Sequence, residues 1–223
     1  MNFQPNFVLR RTATILSVAT ITLAFIAAIS GILIGFNYEP TAGNAYRSLA
    51  KIINEIPNGG FIYSLHNLAG NGIIVVALIQ LVVMFLGRQF RSSWLTAWIS
   101  GILLTLSTIG LGWTAMILGW NQLGYWRLKV ELGTIASIPL IGETVANVLT
   151  GGGGINTTTI IRFYTIHSYV LSLAAIAFAI IHLVALIIQE QESKLSVRQL
   201  EKLIATIKLE KQTTAAENAP SNI

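Results

Sequence analysis

The sequence contains no cysteine and no aspartate, and it is poor in charge of either sign. Without cysteine there can be no disulfide, no thiolate-held iron–sulfur cluster and no thioether-attached haem. All nine acids are glutamate, and charged residues make up only 10% of the 223 positions. Long stretches therefore carry no charge at all. With 53% hydrophobic residues, the composition is that of an integral membrane domain rather than a soluble one. The net charge of +5 excludes little except nucleic-acid binding, because the basic residues flank the apolar runs and form no single stripe.

Four apolar runs are long enough to cross a bilayer at about 1.5 Å of rise per residue. They cover residues 12–38, 61–86, 94–118 and 160–188. The first follows Arg10-Arg11 as a signal peptide might, but it exceeds an h-region of about 7–15 residues and is read as a retained span. Residues 119–159 hold no uninterrupted run of spanning length. Within them, 138–142 is expected to lie along the surface. The glycines at 151–154 read as a flexible connection, since no lysine followed by serine or threonine completes a phosphate loop. Beyond 188, Ser196-Val197-Arg198-Gln199 resembles a capping box, and Leu200, Leu203, Ile204 and Ile207 recur at helical spacing among lysines. This predicts an amphipathic surface helix over 189–212, lying on the bilayer or against the bundle, followed by a disordered tail at 213–223. The expected fold is all-α: a short N-terminus at 1–11, a transmembrane up-and-down four-helix bundle over 12–188, and the C-terminal amphipathic helix.

Four crossings place both termini on one side. That side holds Arg10, Arg11, Arg88, Arg91, Lys194, Arg198, Lys202, Lys208 and Lys211, against Arg47, Lys51, Arg127, Lys129 and Arg162 on the other. The positive-inside rule then makes the termini cytoplasmic, in a multi-pass protein of a bacterial plasma or thylakoid membrane.

The three histidines all fall inside spans: His66 in the second, His167 and His182 in the fourth. An ionisable group at membrane depth is costly and marks function by default; the alternative is a core histidine bonded to a neighbouring carbonyl. Positions 167 and 182 are fifteen apart, about 22 Å of rise and a net turn of about 60° on a helix. They occupy two depths. Spans two and four run in the same direction, so His66 and His167 lie level. Two imidazoles facing across a bundle are what a six-coordinate b-type haem requires of its protein. Room for a porphyrin needs small neighbours, which Gly31, Gly35, Gly101, Gly110, Gly112 and Ala115 offer, although glycine in membrane helices also marks helix–helix contact. At the second depth the residue facing His182 is Gln80, fourteen beyond His66 and about 40° off its face. An amide is a poor haem ligand. That site is therefore five-coordinate through His182, closed by a non-protein ligand, or empty; a Gln80–His182 hydrogen bond joining two spans is the alternative.

Several runs carry a resemblance. Tyr38-Glu39-Pro40-Thr41, Ser64-Leu65-His66, Trp120-Asn121-Gln122-Leu123-Gly124-Tyr125-Trp126, Ala136-Ser137-Ile138-Pro139-Leu140-Ile141-Gly142 and Arg162-Phe163-Tyr164-Thr165-Ile166-His167 stand in order, with His182 beyond. Over residues 12–186 the chain resembles the N-terminal four-helix haem domain of cytochrome b from quinol-oxidising bc and bf complexes, nearest the b6 branch. The resemblance implies haem b ligated by His66 and His167, with His182 surviving from a second site. It places Gly31 and Gly101 at haem-packing positions, with Ser17 and Ala115 replacing two other glycines, and leaves Arg162 as either a propionate partner or a structural anchor. The departures are Gln80 for the second-site histidine, Tyr63 and Asn67 for two arginines flanking the first histidine, and Ile187-Ile188 for a basic pair. Fewer cations beside the propionates should weaken binding and lower the potential.

The function implied is a divergent paralogue: a membrane b-type cytochrome carrying electrons between a quinone/quinol pool and a partner, an electron-transfer subunit rather than a stand-alone enzyme. One haem b is expected, with room in the reading for a second. The implied partners are quinone or quinol, a separate companion membrane subunit, a Rieske-type iron–sulfur protein or c-type cytochrome, and a second copy in a homodimer. The alternative is an accessory membrane subunit that keeps the fold without electron transfer.

Overall fold

The computed structural model describes residues 5–87 and 94–217. The described residues are helical or connecting, with no strand among them. The four crossings are α1 (Pro5–Gly35), α3 (Gly59–Leu86), α4 (Leu95–Leu118), and a composite fourth helix. That fourth helix begins as α7 (Thr157–Thr165), passes through a π-helical turn (Ile166–Leu171), and continues as α8 (Ser172–Glu217). Short helices α2 (Ala45–Asn54), α5 (Gln122–Ala136) and α6 (Gly142–Thr150) lie between them. Arg88 and Arg91, two of the cations behind the orientation argument, lie outside the described residues.

The bundle is apolar outside and small or hydroxyl-lined inside, as helices in lipid require. Large side chains such as Ile29, Phe61, Val82, Leu106 and Leu173 point outward, exposed, where a bilayer would cover them. The buried positions include Ala13, Ala24, Ala69, Ala77, Ala97, Ala175 and Ala179, interleaved with Ser17, Thr20, Ser30, Ser100, Thr105 and Thr108, beside larger side chains such as Met84 and Leu104. Small residues let helix backbones approach closely where no hydrophobic effect drives association. The hydroxyls are satisfied within their own helices: Thr20 donates to Leu16 O at 2.9 Å, Ser100 to Thr96 O at 2.6 Å and Thr114 to Gly110 O at 2.9 Å.

Helix α1 packs on α3, α4 on α8, α3 on α4 and α1 on α8. That ring leaves α3 and α8, the histidine-bearing helices, facing each other across the diagonal. Its end nearer α2 and α5 is closed by side chains from the connections. Tyr38 donates to Leu118 O at 2.7 Å and stacks on Tyr164, with 5.7 Å between ring centres. Burial, and secondarily the Tyr164 phenol, push the Tyr38 phenol up from its ordinary pKa. Leu128 and Leu132 of α5 pack with Ile117 and Phe163, and the Trp113 indole donates to Glu131 at 2.6 Å. Helix α5 is capped by Asn121, which accepts from Gly124 N at 2.8 Å, and α7 by a reciprocal Asn156–Thr159 capping box.

Three sequence expectations change locally. Residues 39–60, read as a plain loop, contain α2. Residues 151–154 are a tight left-handed turn in which all four glycines have positive φ, from 74° to 105°, a conformation other residues resist. Helix α8 runs through position 196, so the amphipathic segment continues span four instead of starting a separate helix. Of the tail at 213–223, the part to Glu217 is helical and the rest lies outside the described residues.

Candidate haem site

The composite fourth helix sets the geometry. On α3, positions 66 and 80 are fourteen apart, which ends about 40° short of four full turns; fifteen α-helical residues overshoot by about 60°. The difference is one residue. The π turn at Ile166–Leu171 accommodates one extra residue in its wider turn. His182 is thereby brought back to the face of His167 that the net 60° turn of a regular helix would miss.

His66 and His167 face each other across the diagonal, ring centres 6.3 Å apart and planes inclined by 59°. Two imidazoles sharing one metal ion through nitrogens at about 2 Å have ring centres about 6 Å apart. The pair fits a bis-imidazole haem. The tautomers fit as well. His66 Nδ1 is 2.9 Å from Ala27 O and 3.3 Å from Ser30 Oγ. Ser30 spends its own proton on Ile26 O at 2.6 Å, so imidazole Nδ1 must donate. His167 Nδ1 lies 2.8 Å from Thr114 Oγ1, whose proton goes to Gly110 O, and it also faces the Leu111 carbonyl. With Nδ1 protonated and held, each Nε2 carries the lone pair that a metal takes. Both rings are half-buried.

A recurrent seat builds these contacts. A backbone carbonyl and a hydroxyl three residues later face the ring, with a small residue next in sequence: Ala27 and Ser30, then Gly31, for His66; Leu111 and Thr114, then the exposed Ala115, for His167. His182 sits on the same device, with Nδ1 2.8 Å from Ala97 O and 3.3 Å from Ser100 Oγ. The role of the glycines follows. A Cβ on Gly31 would lie 2.9 Å from His66 Cε1, and one on Gly101 2.9 Å from His182 Cε1. Both make room for an imidazole edge. Gly35, Gly110 and Gly112 instead meet Tyr164, Leu171 and Ile74, which is helix packing. Ser30, Ser100 and Thr114 were missed in the sequence, although the doublets Ser30-Gly31, Ser100-Gly101 and Thr114-Ala115 signal them.

The second depth differs. Gln80 Nε2 donates to His182 Nε2 at 2.5 Å. The two side chains are in the direct contact that the sequence offered as one alternative.

Arg162 is engaged elsewhere. Its guanidinium donates to the carbonyls of Asn147 and Val148, in the last turn of α6 where a cation offsets the helix dipole. These contacts are those of the structural anchor, one of the two roles open to Arg162 in the sequence. Glu143 is exposed in the first turn of α6.

Residues 7–191 match the family model described as Cytochrome b/b6/petB. Cytochrome b6 of Mastigocladus laminosus is 31% identical over 163 residues, 73% of this chain and 76% of that protein. Cytochrome b6 of Synechococcus elongatus is 30% identical with the same coverage. Among solved structures, a chain titled Hyperthermophilic respiratory Complex III shares the fold with a TM-score of 0.67 at 23% identity. The match covers 79% of this chain and 47% of that one, so the present chain spans about half the length of that neighbour.

Proposed function

Because the chain belongs to the cytochrome b/b6 family and is an integral membrane protein, we propose that it is a b-type cytochrome. It carries electrons between a quinone/quinol pool and a protein partner through one haem b held by His66 and His167. The observation that carries this reading is the facing pair of imidazoles at 6.3 Å, each with Nδ1 fixed by an acceptor.

When bound there, the haem supplies a one-electron couple. The chain's residues supply the rest. Ala27, Ser30, Leu111 and Thr114 hold the rings in one tautomer and one orientation and raise their basicity. Gly31 admits the His66 edge. Tyr38, Tyr164 and Trp120 close the end of the bundle against water, the Trp120 indole donating to Ala42 O at 3.0 Å. Tyr63 and Asn67 in place of arginines leave the propionates with fewer cations, which favours a low potential. The cytoplasmic termini, the companion subunit with its Rieske-type or c-type redox partner, and a homodimer belong to the same reading.

An anaerobically reduced, purified sample should show a b-type α band that His66→Ala or His167→Ala abolishes; a colourless wild-type protein refutes the proposal. The closed second depth favours one rival, an accessory subunit with no electron path. Redox titration separates them, since a haem that quinols neither reduce nor oxidise supports the rival.

A further inference from the structure

We infer that the second depth of the bundle is a sealed hydrogen-bonded latch in place of a second haem, so that this chain exchanges electrons on one side of the membrane only. The inference rests on the proposed haem at His66 and His167 and concerns what the other half of the bundle has become.

The latch is recognisable because three of four seats are intact. His182 is held on Ala97, Ser100 and Gly101 as His66 is held on Ala27, Ser30 and Gly31, fourteen residues along the neighbouring pattern. Its Nε2 therefore points to the bundle axis like a ligand. The fourth seat, on α1, keeps the Ala13 carbonyl, has Leu16 where the hydroxyl belongs, and ends in the small residue Ser17. In front of it stands Gln80.

Distance decides the outcome. Donor atoms on opposite sides of one metal ion are about 4 Å apart, whereas Gln80 Nε2 and His182 Nε2 are in direct hydrogen-bond contact, closer than an ion between them would allow. The amide occupies the imidazole lone pair. Gln80 has two longer contacts besides: Thr20 Oγ1, whose hydroxyl also faces Leu16 O at 2.9 Å, lies 3.4 Å from Oε1, and Nε2 lies 3.4 Å from Ala13 O. Gln80 is 2% and His182 0% exposed, against the half-buried pair at the first depth. One network thus ties together Ala13 and Thr20 of α1, Gln80 of α3, Ala97 and Ser100 of α4, and His182 of α8. It replaces with hydrogen bonds the cross-link that a ligated haem would make between α3 and α8. An unpartnered imidazole here would be costly, and both nitrogens of His182 have partners.

The test is haem stoichiometry by pyridine haemochrome on the purified full-length protein and three variants. Wild type should bind one haem per chain. His182→Ala should keep that haem and its α band, and His66→Ala should lose it. Gln80→His supplies the missing imidazole opposite His182 and should raise the ratio from one to two, with a second wave in a redox titration. Two haems in the wild type, or loss of the single haem in His182→Ala, overturn the inference while leaving haem binding in place. A wild type with none overturns the proposed function instead. If Gln80→His folds, judged by retention of the first α band, yet stays at one haem, Gln80 is not what closes the site and the inference fails.

Discussion

Replacing Thr114 by valine removes one hydroxyl and nothing else of the shape around His167. In the native protein that oxygen lies 2.8 Å from His167 Nδ1 and passes its own proton to Gly110 O at 2.9 Å. It is fully buried. Valine therefore deprives the imidazole N–H of its short acceptor and leaves it the Leu111 carbonyl alone. A buried hydrogen bond of this kind contributes about 1 kcal/mol, and stranding the donor costs about 1–3 kcal/mol. Outer-sphere partners of metal-bound histidines typically govern about 10–100-fold in affinity, the same range in free energy. A less basic imidazole stabilises ferric iron less than before, so the potential should rise. About 1 kcal/mol of differential stabilisation corresponds to about 40 mV for one electron. The assay pairs haem transfer to an apo-acceptor, which reads affinity, with a potentiometric titration of the α band. Thr114→Ser keeps the oxygen and should behave as wild type in both. If valine and serine variants are indistinguishable from wild type in affinity and potential, the seat does not position His167 and the reasoning is wrong.

Other outcomes follow from the same geometry. Gly31→Ala places a Cβ 2.9 Å from His66 Cε1 and should displace the ring, giving loss of haem or a high-spin spectrum. Gly101→Ala makes the equivalent clash with His182 and should lower thermal stability by about 1–3 kcal/mol, the usual overpacking cost, with the haem spectrum unchanged. Arg162→Ala removes the donor to two α6 carbonyls and should destabilise by about 1–3 kcal/mol with the α band unshifted; a shifted band would return Arg162 to the haem. For Tyr38 the folded pKa is raised above the unfolded value of 10.0, so the folded state holds the proton more tightly. Its contribution is complete below pH 10 and is lost as the unfolded chain ionises at higher pH. Tyr38→Phe should thus cost about 1 kcal/mol at neutral pH and flatten the fall in stability above pH 10, measured by thermal melts in detergent.

The apolar runs, the histidine positions and the ordered motifs were enough to read an all-α membrane bundle and its family. Those features depend on composition and on residues close in sequence. A span needs only length and the absence of charge, and the level of His66 with His167 needs only the rise per residue. Residues 39–60 were harder: α2 is ten residues long, marginal alone, and it is buried at Ala45, Ser48 and Ile52 only because the bundle lies beneath it.

What tertiary structure alone decided concerns direction and partners. The sequence spacing of His167 and His182 implies a net turn, and the π turn cancels it; no local residue pattern announced that, because the extra residue is forced by where α8 must meet α4. The identity of each Nδ1 acceptor depends on which carbonyl a neighbouring helix brings into range. Arg162 reaches either a cofactor edge or the end of α6 from the same position in sequence, and its contacts with the Asn147 and Val148 carbonyls come from the fold. Gln80 and His182 are separated by 102 positions. Whether their nitrogens touch or stand a metal's width apart is a matter of about 1.5 Å, and only the packing of four helices fixes a distance that small.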